Sequence, residues 1–178
     1  MADLSTVHDP ERLAALRRLV LLDTASSEMF ERLTRLAART LAAPISLLTL
    51  VDDDRQFFLA AFGLPEPLAT SRQTSLEYSL CQYAVASGRP LVVCDARVEH
   101  WLDDNPAVTR LGVTAYAGVP LVTPDGYAVG TLCVLDFSQR SWTDDDLLSL
   151  TDLAAVTMHE MRLHRLVRRA AHRRDGRG

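Results

Sequence analysis

Residues 113–136 read VTAYAGVPLV-TPDG-YAVGTLCVLD, two apolar segments on either side of a short polar turn. The turn, Thr123-Pro124-Asp125-Gly126, has glycine at the position where a positive φ is needed. Two apolar segments that flank such a turn are typical of a β-hairpin. The sequence therefore predicts that a strand over Val113 to Val122 pairs with a strand over Tyr127 to Asp136.

The rest of the chain supplies further strands and places helices at both ends. Ile45 to Val51 is apolar on both faces, which predicts a central strand. The other predicted elements are helices over residues 10–22, 27–41 and 76–87, strands over 55–62 and 90–94, a surface loop over 69–74, a helical turn from Asn105, and a last helix that follows Thr143 and reaches Ala170. This order predicts the α+β class, with an antiparallel sheet of about five to six strands.

The composition is that of an ordinary folded domain. Apolar residues make up 48% of the 178 residues and charged residues 24%. No apolar run approaches the roughly 20 residues that a membrane-spanning helix needs. The N-terminus also lacks the apolar segment of a signal peptide. These features predict a cytoplasmic protein with no membrane partner.

Positive charge is concentrated at the C-terminus. All 19 basic residues are arginine, and seven of them fall within residues 162–178, against the single acidic residue Asp175. This segment carries +6, the remaining residues carry 12 − 22 = −10, and the sum is the net −4. Because the segment has no interleaved aromatic residues and no nucleic-acid-reading motif, we interpret it as a solvated helix end, not as a contact for nucleic acid.

Several short motifs, in order along the chain, resemble those of GAF domains. Residues 79–90 (SLCQYAVASGRP) are similar to the central helix and turn of that family. Residues 95–97 (DAR) and 104–108 (DNPAV) are similar to the segment after its third strand, and residues 116–121 (YAGVPL) and 130–136 (GTLCVLD) to its last two strands. The resemblance covers about residues 25–160 and is greatest to the GAF modules of bacterial sensor kinases, diguanylate cyclases and phosphatases.

This resemblance implies a PAS-like GAF fold and a sensory role. The N- and C-terminal helices are expected on one face of the sheet, and short helices are expected over a pocket on the other. The implied organisation is an N-terminal helix (residues 1–24), the GAF domain (25–165) and a basic C-terminal tail (166–178). The implied function is non-enzymatic binding of an unidentified small molecule, with a signal passed to a downstream effector. The residues identify no cofactor, because the fold hosts many ligands.

Candidate ligand-binding residues follow from the position of the pocket in the family. Asp95 and Asn105 are expected to orient a polar ligand or to cap the local backbone, with capping favoured for Asn105. Gly118, beside Tyr116, indicates either the close approach of a ligand or another segment, or a β-bulge. The full predicted set is Leu50, Cys81, Asp95, Asn105, Val108, Tyr116 and Gly118.

Three cysteines, Cys81, Cys94 and Cys133, are the candidates for covalent chemistry. The free methionine sulfoxide reductases share the GAF fold and use thiols, and Cys81 falls near one of their cysteines. Their catalytic cysteine has no counterpart, because residues 95–115 contain no Cys. We therefore interpret the three thiols as core residues and keep a thiol-dependent enzyme of this type as an alternative. We assign no catalytic residue, and the histidine spacing predicts no metal site.

The last helix carries two apolar stripes. Its residues divide into Leu147, Leu150, Ala154 and Met161 on one stripe and Leu153, Val156, Leu163 and Val167 on the other. Because each stripe needs a partner, one is expected to face the sheet and the other a second helix. We expect a homodimer formed through Leu13–Leu22 and Leu153–Val167. A dimerisation module without a ligand is the second alternative, and its expected sign is a pocket filled by the protein's own side chains.

Overall fold

A six-stranded antiparallel sheet organises the chain. The computed structural model describes residues 3–175, with side chains as far as Val167. The strands are β1 (Ile45–Val51), β2 (Arg55–Phe62), β3 (Gln73–Ser75), β4 (Leu91–Val93), β5 (Ala115–Val122) and β6 (Ala128–Asp136). Their order in the sheet is β3-β2-β1-β6-β5-β4. The predicted β5–β6 hairpin is confirmed, and β1 occupies the central position that its two apolar faces predicted.

Six α-helices flank this sheet within the described residues. They are α1 (Pro10–Arg18), α2 (Glu28–Thr40), α3 (Leu68–Ser71), α4 (Cys81–Ser87), α5 (Pro106–Thr109) and α6 (Asp144–Asp175). Short polar side chains cap the N-termini of α1 and α2. The carboxylate of Asp9 accepts hydrogen bonds from the N–H groups of Glu11 and Arg12, and the hydroxyl of Ser27 accepts one from the N–H of Phe30. No helix in residues 3–175 is both long and apolar enough to cross a membrane.

Two hydrophobic cores lie on opposite faces of the sheet. On one face, Leu48 and Leu50 of β1 pack with side chains of α1, α2 and α6, including Phe30 and Met161. On the other face, Leu47 of β1 packs with side chains of α4, α5 and the segments around them. This division follows from the alternation of side chains along each strand. The predicted arrangement, with terminal helices on one face and short helices on the other, is confirmed.

Four predicted elements differ from the structure. The first helix ends at Arg18 instead of residue 22, because Val20 and Asp23 adopt positive φ angles of 57° and 58°. The predicted loop over residues 69–74 contains most of α3 and the edge strand β3, both too short to show a periodic pattern. The predicted helix over residues 76–87 is a 3-10 turn (Leu76–Tyr78) followed by α4. Helix α6 passes the predicted end at residue 170 and reaches Asp175, and residues 176–178 of the predicted tail lie outside the described residues.

Candidate ligand-binding site

A cavity of about 100 Å³ lies between the sheet and the short helices. Ile45, Leu47 and Phe58 form part of its floor, and Leu64 and Leu68 close it from the segment before β3. The polar or thiol-bearing side chains among its walls are Gln56, Thr74, Tyr78, Cys81 and Tyr116. The site is therefore a small, mainly apolar chamber, which suits a ligand with few hydrogen-bonding groups.

Gln56 of β2 forms hydrogen bonds with two side chains of the segment that covers the cavity. The amide nitrogen of Gln56 donates to the hydroxyl of Thr74 at 2.7 Å, and its carbonyl oxygen accepts from the hydroxyl of Ser79 at 2.8 Å. At the outer end, the guanidinium of Arg110 donates to the hydroxyl of Tyr78 at 3.3 Å. These bonds hold the covering segments in place and leave Gln56 with both ends of its amide bonded.

Tyr116 fills the space above Gly118. A Cβ atom added to Gly118 would lie 2.1 Å from the Tyr116 hydroxyl oxygen, so the close approach predicted at this glycine is made by the protein's own ring. The Tyr116 hydroxyl donates to the Cys81 sulfur at 3.4 Å. Burial raises the pKa of Tyr116 well above its ordinary value, so the phenol stays protonated and acts as a donor.

The cysteines divide into a buried pair and one exposed residue. The Sγ atoms of Cys81 and Cys133 are 3.8 Å apart, and both residues are buried. Hydrogen bonding from Cys133, with smaller contributions from Thr131 and Tyr116, lowers the pKa of Cys81, whereas burial raises that of Cys133. The prediction that all three thiols are core residues is wrong for Cys94, which is exposed just after β4 ends.

Five of the predicted ligand-binding residues do not line this cavity: Gly118, which the Tyr116 ring covers, and the four that follow. Leu50 belongs to the core on the opposite face of the sheet, because it is an odd number of residues from Leu47 on the same strand. Asp95 forms a two-bond ion pair with Arg97, at 2.8 and 2.7 Å. The remaining two are Asn105, whose side-chain oxygen caps α5 by accepting the N–H of Ala107 at 2.9 Å, and Val108, which packs beside the cavity.

The Asp95 and Asn105 side chains thus act on their own segment. The hydrogen bond from Arg97 lowers the pKa of Asp95, so this carboxylate is ionised and paired. The capping role favoured for Asn105 is the one that the structure has. Cys81 and Tyr116 are the predicted residues that the structure brings together at the cavity.

Sequence reasoning missed the covering segment between residues 64 and 80. Thr74 and Tyr78 stand in short irregular elements with no periodicity to reveal an inward face. Gln56 did leave a signal, because it is a polar residue directly before the apolar run 57–62 of β2. A buried amide in such a strand needs partners, and here it finds them in the segment that covers the cavity.

The GAF domain model matches residues 26–160. The chain belongs to the GAF domain family. It is 34% identical over 157 residues to a cyclic di-GMP phosphodiesterase of Pseudomonas aeruginosa, a match that covers 87% of this chain and 26% of that protein. It is 33% identical over 70 residues to a diguanylate cyclase of Escherichia coli, which covers 39% of this chain and 20% of that protein.

Solved structures agree with this fold. A domain of a two-component sensor histidine kinase protein from Sinorhizobium meliloti superposes with a TM-score of 0.64 at 18% identity, covering 82% of this chain and 96% of that one. At this identity the likeness shows the GAF fold alone. The chain spans about a quarter or less of the length of the curated relatives it matches.

Proposed function

We propose that this GAF domain is a non-enzymatic regulatory module, which binds a small apolar molecule in its cavity and passes the signal on through α6. The carrying observation is the placement of the cavity and of α6 on opposite faces of one sheet. Strands β1 and β6 contribute side chains to both cores, so a ligand that shifts the strands on one face also acts on the helices of the other. Binding must favour one helix arrangement over another, since equal affinity for both shifts nothing.

The regulatory role is supported by the relatives. The chain matches part of a cyclic di-GMP phosphodiesterase and part of a diguanylate cyclase, two proteins named for different reactions. A module that occurs in proteins with different activities is better suited to controlling catalysis than to performing either reaction. The effector that we propose is therefore an enzyme of cyclic di-GMP metabolism, joined to the domain or bound to it.

The size and lining of the cavity support the ligand class. A volume of about 100 Å³ is below the roughly 300–1,000 Å³ of pockets for drug-sized ligands. An apolar protein cavity of about 150 Å³ holds benzene or xenon. With both ends of the Gln56 amide bonded within the protein, the ligand that fits best is a compact apolar molecule with at most one polar group.

Ligand binding is tested with xenon and benzene as probes, followed by NMR chemical shifts of the cavity methyl groups. Ala107 lines the cavity and its neighbour Val108 does not. We expect Ala107→Leu, which places a larger side chain in the cavity, to lose the probe-induced shifts. The matched variant Val108→Leu should keep them. If the unmodified protein shows no shift at saturating benzene, the cavity is not a binding site.

The output surface is an exposed apolar stripe on α6. We define the α6 stripe as Leu148, Val156, Leu163, Leu166 and Val167, which are between 51% and 62% exposed. The first predicted stripe of this helix, by contrast, packs on the sheet through Leu150, Ala154 and Met161. The prediction that Leu153 belongs to the second stripe is wrong, because Leu153 also packs against this core. An exposed apolar stripe of this length is typical of a helix that pairs with another helix.

We propose that two copies of the chain form a dimer through the α6 stripe, without a contribution from Leu13–Leu22. The predicted contribution of Leu13–Leu22 is not available, because Leu13, Leu16 and Leu19 are buried in their own chain. A second copy of α6 offers the same apolar surface, and a two-fold axis brings two such stripes together. Signalling by this arrangement needs only a change in how the two α6 helices pack.

Light scattering at tens of micromolar protein tests the dimer. We expect the dimer mass for the unmodified chain and the monomer mass for Leu163→Glu, because the substitution puts a charge inside the proposed interface. Thr151→Glu is the matched control, since Thr151 is exposed on the same helix but outside the α6 stripe. Both sites are exposed, so neither change unfolds the chain. A monomer mass for the unmodified chain would refute this part of the proposal.

A dimerisation module without a ligand is the second candidate, and the position of Tyr116 favours it. Its ring occupies space above Gly118 that the resemblance assigned to a ligand. The two experiments separate the candidates. Dimerisation together with benzene binding supports the sensor, whereas dimerisation without benzene binding supports the ligand-free module.

A further inference from the structure

Two buried sulfur atoms face each other beside the cavity. Cys81 is the first residue of α4, Cys133 lies on β6, and their Sγ atoms are 3.8 Å apart. The residues are 3% and 0% exposed. They are 52 positions apart in the sequence, so only the fold brings them together. Packing alone explains a buried thiol, but it does not require two thiols in contact.

The geometry allows a covalent bond between them. A disulfide needs its sulfurs at about 2.05 Å, so the two atoms have to approach from 3.8 Å. Cys133 is fixed in the centre of the sheet, between β1 and β5. Cys81 stands at the start of a seven-residue helix, so we expect the approach to come from this side.

The surroundings of Cys81 favour its reaction with a small oxidant. Cys81 lines the cavity of about 100 Å³, whereas a water molecule occupies about 30 Å³ in the liquid. The cavity therefore has room for a hydroperoxide group beside the residue that carries this sulfur. The Tyr116 hydroxyl, 3.4 Å away, donates to this sulfur and stabilises the thiolate. The thiolate is the form that attacks peroxides.

We propose that Cys81 and Cys133 form a peroxide-reactive dithiol, which a hydroperoxide converts into an intramolecular disulfide. The Cys81 sulfur attacks one peroxide oxygen, an S–O bond forms and the O–O bond breaks, and the departing oxygen takes the thiol proton and leaves as water or an alcohol. The Cys133 sulfur then attacks the sulfenic sulfur, an S–S bond forms and the S–O bond breaks, and the hydroxide leaves as water with the Cys133 proton. The peroxide is reduced by two electrons, and the two thiols are oxidised.

The disulfide would tie α4 to the central sheet. Helix α4 also contacts the N-terminal segment, a 3-10 helix over Leu4–His8, where the Thr6 hydroxyl donates to the Ala86 carbonyl at 3.2 Å. A bond at the other end of α4 therefore changes the position of a helix that joins the cavity to the N-terminus. The proposal uses the wall of the cavity but does not rest on the proposed ligand, because the two thiols need only the oxidant.

The test uses the full chain, reduced and then freed of the reductant, with hydrogen peroxide as the probe. We expect the intact mass to fall by about 2 Da, for the two hydrogen atoms removed. Peptide mapping should join Cys81 to Cys133, and dithiothreitol should restore the original mass. The matched control is Cys94→Ala, which removes the exposed thiol and should leave the result unchanged.

The variant Cys133→Ala separates the two steps. Without its partner, Cys81 should stop at the sulfenic acid, which dimedone traps as an adduct. The proposal is overturned if the unmodified chain keeps Cys81 and Cys133 reduced while Cys94 is oxidised, or if the cross-link joins Cys94. If Cys133→Ala does not fold, the peptide map of the unmodified chain decides alone. Failure of benzene binding leaves this result unaffected, so the two proposals fail separately.

Discussion

Replacing Gly130 with alanine is expected to cost at least about 3 kcal/mol of folding free energy. Gly130 lies on β6 and pairs with Leu50 in the centre of the sheet. A Cβ atom at this position would lie 1.9 Å from the carbonyl oxygen of Thr49, and 2.9 Å from its carbonyl carbon. Both atoms belong to the backbone of β1, so no side-chain rotation relieves the clash, and the β1–β6 pair has to separate.

Two other glycines provide the matched controls. Gly88 and Gly126 have positive φ angles of 63° and 91°, and a Cβ atom at either would meet nothing within 4 Å. Alanine at these positions suffers only the backbone strain, which is about 1 kcal/mol. Urea denaturation of the three variants measures the difference. Equal losses in Gly130→Ala and Gly88→Ala would show that the β1–β6 contact is not as close as the structure has it.

The sequence predicted the centre of the sheet well but missed β3, one of its two edge strands. The β5–β6 hairpin and β1 carry long apolar segments and a specific turn, which are strong local signals. Strand β3 has three residues, and it exists because the segment after α3 returns to pair with Arg55–Phe57 of β2. That pairing is a tertiary contact, which a single sequence does not encode as a pattern.

The site was harder to predict because face assignment needs more than composition. Leu50 was placed at the pocket although Leu47 occupies that face, since a strand that is apolar on both faces does not reveal which residues point which way. Tyr116 and Cys81 were chosen from the resemblance, and the structure brings both to the cavity. The contact between Cys81 and Cys133 could not be foreseen, because it depends on how α4 lies across the sheet.

Replacing Arg12 with alanine is expected to destabilise the domain by about 3 kcal/mol, the second large effect. Arg12 is on α1, yet it is only 4% exposed. Its guanidinium donates to the carbonyl of Val7 at 2.8 Å and to that of Val51, at the end of β1, at 2.9 Å. Alanine would leave these buried carbonyls without their donor and detach the N-terminal segment from the sheet. Burial lowers the pKa of Arg12.

Arg18 on the same helix is the matched control. Its side chain is 45% exposed and pairs at 2.7 Å with Asp125, which is 52% exposed. Exposed ion pairs contribute about 0–1 kcal/mol, so Arg18→Ala should lie within that range. Arg12→Lys should recover only part of the loss, because one ammonium group cannot reproduce the forked bonding of a guanidinium to two carbonyls. Chemical denaturation of the three variants ranks them, and equal losses for Arg12→Ala and Arg18→Ala would mean that Arg12 does not hold the N-terminal segment to the sheet.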